Sequence, residues 1–156
     1  MDIRRATPED LDALASLRLY VHDIHARALP DSFKPSQRDA ARRDAETWFG
    51  PPNVTVLLAT QDDEPIGYLR LVVYDQPERE LAYARRMLYV DQIALKDTVR
   101  GRGHGKRLLE AGVGLARELG IDIVELDVHH FNADARAFFV SQGFAPSRER
   151  LVRVLK

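Results

Sequence analysis

The stretch LYVDQIALKDTVRGRGHGKRLL, residues 88–109, decides how the rest of the chain is read. Tyr89, Val90, Ile93 and Leu95 are β-branched, aromatic or apolar residues in a short run, which predicts a strand. The polar group Lys96-Asp97-Thr98 ends that strand, and a helical pattern is expected from near Arg107, Leu108 and Leu109. Between them lies Arg100-Gly101-Arg102-Gly103-His104-Gly105-Lys106. Glycine lets a backbone come close to a ligand and take positive φ. The first N–H groups of a helix have no intrahelical partner. A strand, a glycine loop and a helix start in that order predict a cradle of backbone N–H groups for a phosphate or pyrophosphate.

Two common phosphate loops do not fit. The dinucleotide fingerprint G-x-G-x-x-G fails because the glycines run G-x-G-x-G and Lys106 stands where the third would fall. The P-loop pattern fails because its first glycine position holds Arg100 and its Ser/Thr position holds Arg107. That counts against a protein using this loop for ATP or GTP. Arg100-x-x-Gly103-x-Gly105 instead resembles the R/Q-x-x-G-x-G/A loop of the GNAT superfamily of acetyl-CoA-dependent N-acetyltransferases. Ile93-Ala94-Leu95 is similar to the strand end that precedes it in that family.

The chain has 156 residues, enough to bury one sizeable core, and a single N-acetyltransferase domain over 1–156 is expected. Its 23 basic and 24 acidic residues leave a net charge of −1. A nucleic-acid or anionic-membrane partner would call for a basic excess, so neither is expected. There is no cysteine, which excludes disulfides, a cysteine nucleophile and thiolate metal sites. No apolar run has transmembrane length and the N-terminus lacks a signal-like segment, so the expected location is the cytoplasm.

Residues 2–7 read as a strand, with Thr7 and Pro8 as a helix-start signal. Leu11, Leu14, Leu17 and Val21 follow at helical spacing, and the pattern loosens from His22 to Ser36. A second helix is expected over 40–49, then strands over 54–60 and 66–74 joined by a turn at 61–65. After the strand, loop and helix described above, Gly120 closes the helix. A strand is predicted over 121–129, a short helix from Asn132 to Phe139, and a last strand over 151–155. The expected fold is α/β, with the order β-α-α-β-β-β-α-β-α-β. It is a GNAT-like order, whose central sheet is mixed, mostly antiparallel and flanked by helices.

The second half carries a further similarity. Asn132-x-x-Ala135-x-x-Phe138-Phe139-x-x-x-Gly143-Phe144 resembles the family's N-x-x-A-x-x-F-Y-x-x-x-G-F. The resemblance implies acetyl transfer to a primary amine of a small molecule or peptide, by direct attack in a ternary complex, with acetyl-CoA as co-substrate and no metal. It implies a cofactor site of Ile93, Ala94, Leu95, Arg100, Gly101, Arg102, Gly103, His104, Gly105, Lys106, Asn132 and Phe139. At Phe139 the family usually places a tyrosine whose hydroxyl protonates the leaving thiolate; phenylalanine has no proton to give. A non-catalytic CoA-binding module of the same fold is therefore the alternative.

An ammonium of pKa about 10.4 cannot attack until it loses a proton, so the reaction needs a base. Asp127 is the first candidate, with Asp91 and Tyr89 as alternatives expected to share a face with Ile93. An oxyanion donor is expected from a backbone N–H near Ile93 to Leu95. His25 and Phe33 resemble a segment that roofs the acceptor pocket in some GNAT subgroups. His129-His130 does not suggest metal, because neighbours on a strand point to opposite faces. A homodimer is one assembly open to the chain.

Overall fold

The computed structural model describes residues 1–155. The chain runs β1 (Asp2–Arg5), α1 (Leu11–Ala28), α2 (Arg38–Glu46), β2 (Val54–Gln61), β3 (Glu64–Gln76), β4 (Arg85–Leu95), α3 (His104–Glu118), β5 (Val124–Leu126) and α4 (Ala133–Ser141). The five strands form one sheet in the order β1-β2-β3-β4-β5. Pairing is antiparallel from β1 to β4 and parallel between β4 and β5. A parallel step needs a crossover, and α3 supplies it. The expected α/β fold with a mixed, mostly antiparallel sheet is what forms.

The sheet is buried on both faces because side chains alternate along each strand. On one face Leu69, Leu71, Leu88 and Val90 pack against Leu108, Leu109 and Leu115 of α3, with Phe139 of α4. On the other, Val56, Leu58 and Tyr68 meet Leu11, Leu14 and Leu17 of α1 and Trp48. Each fully buried leucine contributes roughly 1.5–3 kcal/mol. Gly112 lets α3 lie close on β3: a Cβ there would stand 2.7 Å from Leu69 Cδ2.

The start of α1 is held electrostatically. Asp10 Oδ2 accepts from the Thr7 N–H at 2.8 Å, and Arg4 clamps the same carboxylate with two bonds of 2.7 Å. The Arg4 guanidinium is the main reason the Asp10 carboxyl is held below its usual range.

Several expectations are corrected. The first helix does not loosen at His22; it continues to Ala28, because Pro30 is the first residue able to break it. The β2–β3 turn tightens to Asp62-Asp63, both at positive φ (53° and 65°), so both strands extend further into the hairpin than expected. α3 opens at His104, three residues early. β5 is three residues long and does not extend over 121–129. The strand expected over 151–155 does not form: these residues join no ladder, and a β-prone run without a partner is not a strand. No described helix is long and apolar enough to cross a membrane.

Candidate active site

The glycine loop sits where β4 hands over to α3. After Leu95 a 3₁₀ turn covers Asp97–Val99, and Arg100 is extended. Gly101 and Gly103 then take φ of 74° and 78°, in the left-handed region. Gly103 is the N-cap of α3, and the first intrahelical bond is Arg107 N–H to its carbonyl at 3.1 Å. The N–H groups of His104, Gly105 and Lys106 precede that bond and lack helical partners by position. With the positive end of the helix dipole they make this helix start a candidate anion site.

The side chains divide the work. Arg100 is pinned by Asp97 (Nη1 to Oδ1, 2.6 Å) and lies over the Tyr20 ring, 5.8 Å from its centroid. Arg102 and Lys106 are exposed and form no ion pair among the described residues. His104 keeps Nδ1 buried and unpartnered. Gly105 has a packing reason of its own: a Cβ there would stand 3.3 Å from Phe138 Cζ and 3.4 Å from Leu95 Cδ1. Nothing lies within 4 Å of a Cβ built on Gly103, so only its φ and the space before it demand glycine.

Beside the loop the sheet opens. β4 and β5 pair only over Leu88–Val90 and Val124–Leu126. From Asp91 to Leu95, β4 has no strand on that side. Ile93 and Leu95 pack toward α3 and Ala94 toward α1, so what this run offers the opening is its backbone edge. Asn132 at the head of α4 is engaged as a cap, its Oδ1 accepting from Ala135 N–H at 3.1 Å. Phe139 is buried, its ring against Phe138 (centroids 5.2 Å) and Phe144 (5.9 Å).

The register of β3 and β4 shifts between Arg70 and Leu71, which oppose Gln92 and Val90, leaving Asp91 as the extra residue of a β-bulge. Tyr89, Asp91 and Ile93 therefore do not share a face as period-2 spacing predicts. Tyr89 lies on the α1 side with Tyr74 (centroids 5.9 Å), whereas Ile93 packs on the α3 side. Asp91 is taken by Arg70 at 2.5 Å. The Arg70 guanidinium also lies 5.7 Å from the Trp48 ring centroid.

Tyr89 donates its hydroxyl to Asp127 Oδ2 at 2.9 Å. Burial, and then this bond, push the phenol well above its usual range, so Tyr89 stays protonated and Asp127 accepts. Asp127 is exposed and keeps its other oxygen free for a ligand or water. Of the three base candidates, the geometry brings Tyr89 and Asp127 together and ties Asp91 to an arginine.

His25 and Phe33 close over the same side. His25 touches Phe33 (centroids 5.6 Å), His129 (5.2 Å) and Phe131 (5.7 Å), joining the end of α1 to the segment after β5. Sequence reasoning missed Arg70, His129 and Phe131. Only the parity of Asp127 and His129 hinted that the histidine faces α1. No group of metal-ligating side chains occurs among the described residues.

Residues 18–144 match the acetyltransferase (GNAT) family. The aminoalkylphosphonate N-acetyltransferase of Salmonella typhimurium is 25% identical over 156 residues, covering 99% of this chain and 91% of that protein. The mycothiol acetyltransferase of Sanguibacter keddieii is 31% identical over 125 residues, 78% of this chain but 38% of its own length. The chain thus spans less than half of that relative. Among solved structures, a mutant of the BH1408 protein from Bacillus halodurans superposes with a TM-score of 0.94 at 25% identity over the whole of both chains. The aminoglycoside N-acetyltransferase AAC(6')-Iy in complex with CoA shares the fold, with a TM-score of 0.75 at 19% identity over 99% of this chain and 93% of that one.

Proposed function

The chain belongs to the acetyltransferase (GNAT) family, and from that premise we propose that it carries an acetyl group from acetyl-CoA to a primary amine of a small molecule or peptide. The amine attacks directly in a ternary complex, residues 1–156 act as one domain, and the setting is the cytoplasm. The observation that carries the reading is the left-handed Gly103 cap opening α3 immediately after β4, beside the free edge of that strand. A pyrophosphate fits the cradle because its donors are backbone N–H groups and the helix dipole. Arg102 and Lys106 add positive charge that no ion pair among the described residues offsets.

Acetyl-CoA supplies the thioester carbonyl that the amine attacks. Asp127 accepts the ammonium proton, directly or through one water, and Tyr89 holds the carboxylate in place. A backbone N–H between Ile93 and Leu95 donates to the developing oxyanion. His25, Phe33, His129 and Phe131 wall the acceptor side. No phenol stands at position 139, so the departing thiolate takes its proton from water.

Phe139 is also the observation favouring the second reading, a CoA-binding module that does not turn over. Release of free thiol from acetyl-CoA with a panel of polyamines, amino acids, aminoglycosides, aminophosphonates and peptide N-termini separates the two. CoA binding without thiol release on any acceptor would refute the enzyme reading. Absence of CoA binding would refute both.

A further inference from the structure

On the α1 side of the sheet, the charged side chains flanking Tyr89 are engaged with one another. Arg70 holds Asp91 at 2.5 Å and Arg85 holds Glu125 at 2.9 Å. Asp127 differs. Its partner is a neutral phenol at 2.9 Å, and no ion pair among the described residues offsets its charge. One unmatched carboxylate is complementary to one ammonium.

What surrounds that carboxylate is aromatic. Tyr74 is 47% exposed, with its ring 5.9 Å from that of Tyr89. Two and four residues beyond Asp127, His129 and Phe131 stack at 23° between ring planes, and Phe131 is 38% exposed. Neither Tyr74 nor Phe131 belongs to either core cluster, so these rings are not spoken for by packing. His25, edge-on to Phe131, has Nδ1 3.0 Å from the Val21 carbonyl and donates to it. In the neutral ring this leaves Nε2 as a hydrogen-bond acceptor, which adds polarity without charge. Rings that flank Asp127 both across the sheet and along the chain suit a further flat ring, by stacking or edge contact.

We propose that the acceptor is a primary amine carried on a short arm by an uncharged aromatic ring. The ammonium meets Asp127 and the ring lies among Tyr74, His129 and Phe131. This rests on the acetyl-transfer reading and narrows it. A polyamine or an aminophosphonate would bring a second charge to a surface where Arg70, Asp91, Arg85 and Glu125 are already paired.

Calorimetric titration of the full-length chain, with and without saturating CoA and above the histidine range of pH, compares 2-phenylethylamine with ethylamine, spermidine and 2-aminoethylphosphonate. The aromatic amine should bind roughly tenfold or more tighter than each of the others. Phe131→Ala and Tyr74→Ala should each shrink that advantage, and Phe131→Trp should keep it. Equal affinities, tighter binding of spermidine or the phosphonate, or an advantage that survives both alanine variants would overturn the proposal. Thiol release from acetyl-CoA is read separately with the same amines. A preference for the aromatic amine without thiol release would refute turnover and leave this inference standing; thiol release without the preference would do the reverse.

Discussion

Gly103 is the position where one added methyl group separates folding from cofactor binding. Its φ of 78° is left-handed, and a non-glycine residue there pays about 1–2 kcal/mol. A Cβ meets nothing within 4 Å, so the methyl itself fits the folded chain. Gly103→Ala should therefore lower stability by no more than about 1–2 kcal/mol. If the loop relaxes to escape the strain, the N–H groups of His104 to Lys106 lose their common aim, and the same energy appears as roughly 5- to 30-fold weaker CoA binding. Gly103→Val adds a branched side chain in front of the cradle and should abolish binding. Gly114 is the control: it has an ordinary φ and equally open space, and Gly114→Ala should stabilise α3 by up to about 1 kcal/mol with CoA affinity unchanged. Calorimetric titration of CoA, paired with urea unfolding, reads both quantities. Undiminished CoA affinity in Gly103→Val would show that the pyrophosphate does not bind here.

Asp127→Asn keeps the contact with Tyr89 but removes the proton acceptor, so turnover should fall about 10²–10⁴-fold while CoA affinity holds; an unchanged rate from about pH 6 to 9 would retire Asp127 as the base. Phe139→Tyr adds a hydroxyl to an apolar cluster and should cost about 1–3 kcal/mol in urea unfolding. If that variant is instead as stable as the parent and turns over faster, the ring's outer end reaches the thiolate. Asp10 has a depressed carboxyl pKa, so its contribution is present above the unfolded value of about 3.9 and is lost as pH falls through the folded one. Asp10→Asn should cost about 1 kcal/mol at pH 7, discounted because Arg4 is largely exposed, and the gap to wild type should shrink toward zero as pH falls through the lowered folded value; a gap that persists once the carboxyl is protonated in both states would mean that the carboxylate's charge is not what matters.

The parts of the fold legible in the sequence are those set by local pattern. The Thr7-Pro8 start, the apolar spacing of α1, the strand and glycine loop of residues 88–109 and the Asn132 cap each depend on residues a few positions apart. What failed depends on partners far along the chain. The Leu151–Leu155 run has strand composition, but whether it becomes a strand depends on which edge it meets. β5 is cut to three residues because β4 and the segment after Leu126 diverge, a geometry that no periodicity records.

The bulge at Asp91 carries the same reasoning into the candidate site. Period-2 spacing puts Tyr89, Asp91 and Ile93 on one face, and one extra residue undoes this. Ahead of the bulge, Tyr89 turns to the α1 side, where Asp127 receives its hydroxyl. Past it, Ile93 turns into the α3 core and the backbone edge of residues 91–95 is left facing the opening beside the glycine loop. A regular strand would put Tyr89 and Ile93 on the same side, burying the phenol against α3 or exposing the isoleucine to the groove. The added residue allows both the hydrogen-bonded Tyr89–Asp127 pair on one face and an uninterrupted apolar core on the other. Arg70 holds the extra residue by its carboxylate, so this ion pair braces the backbone bend.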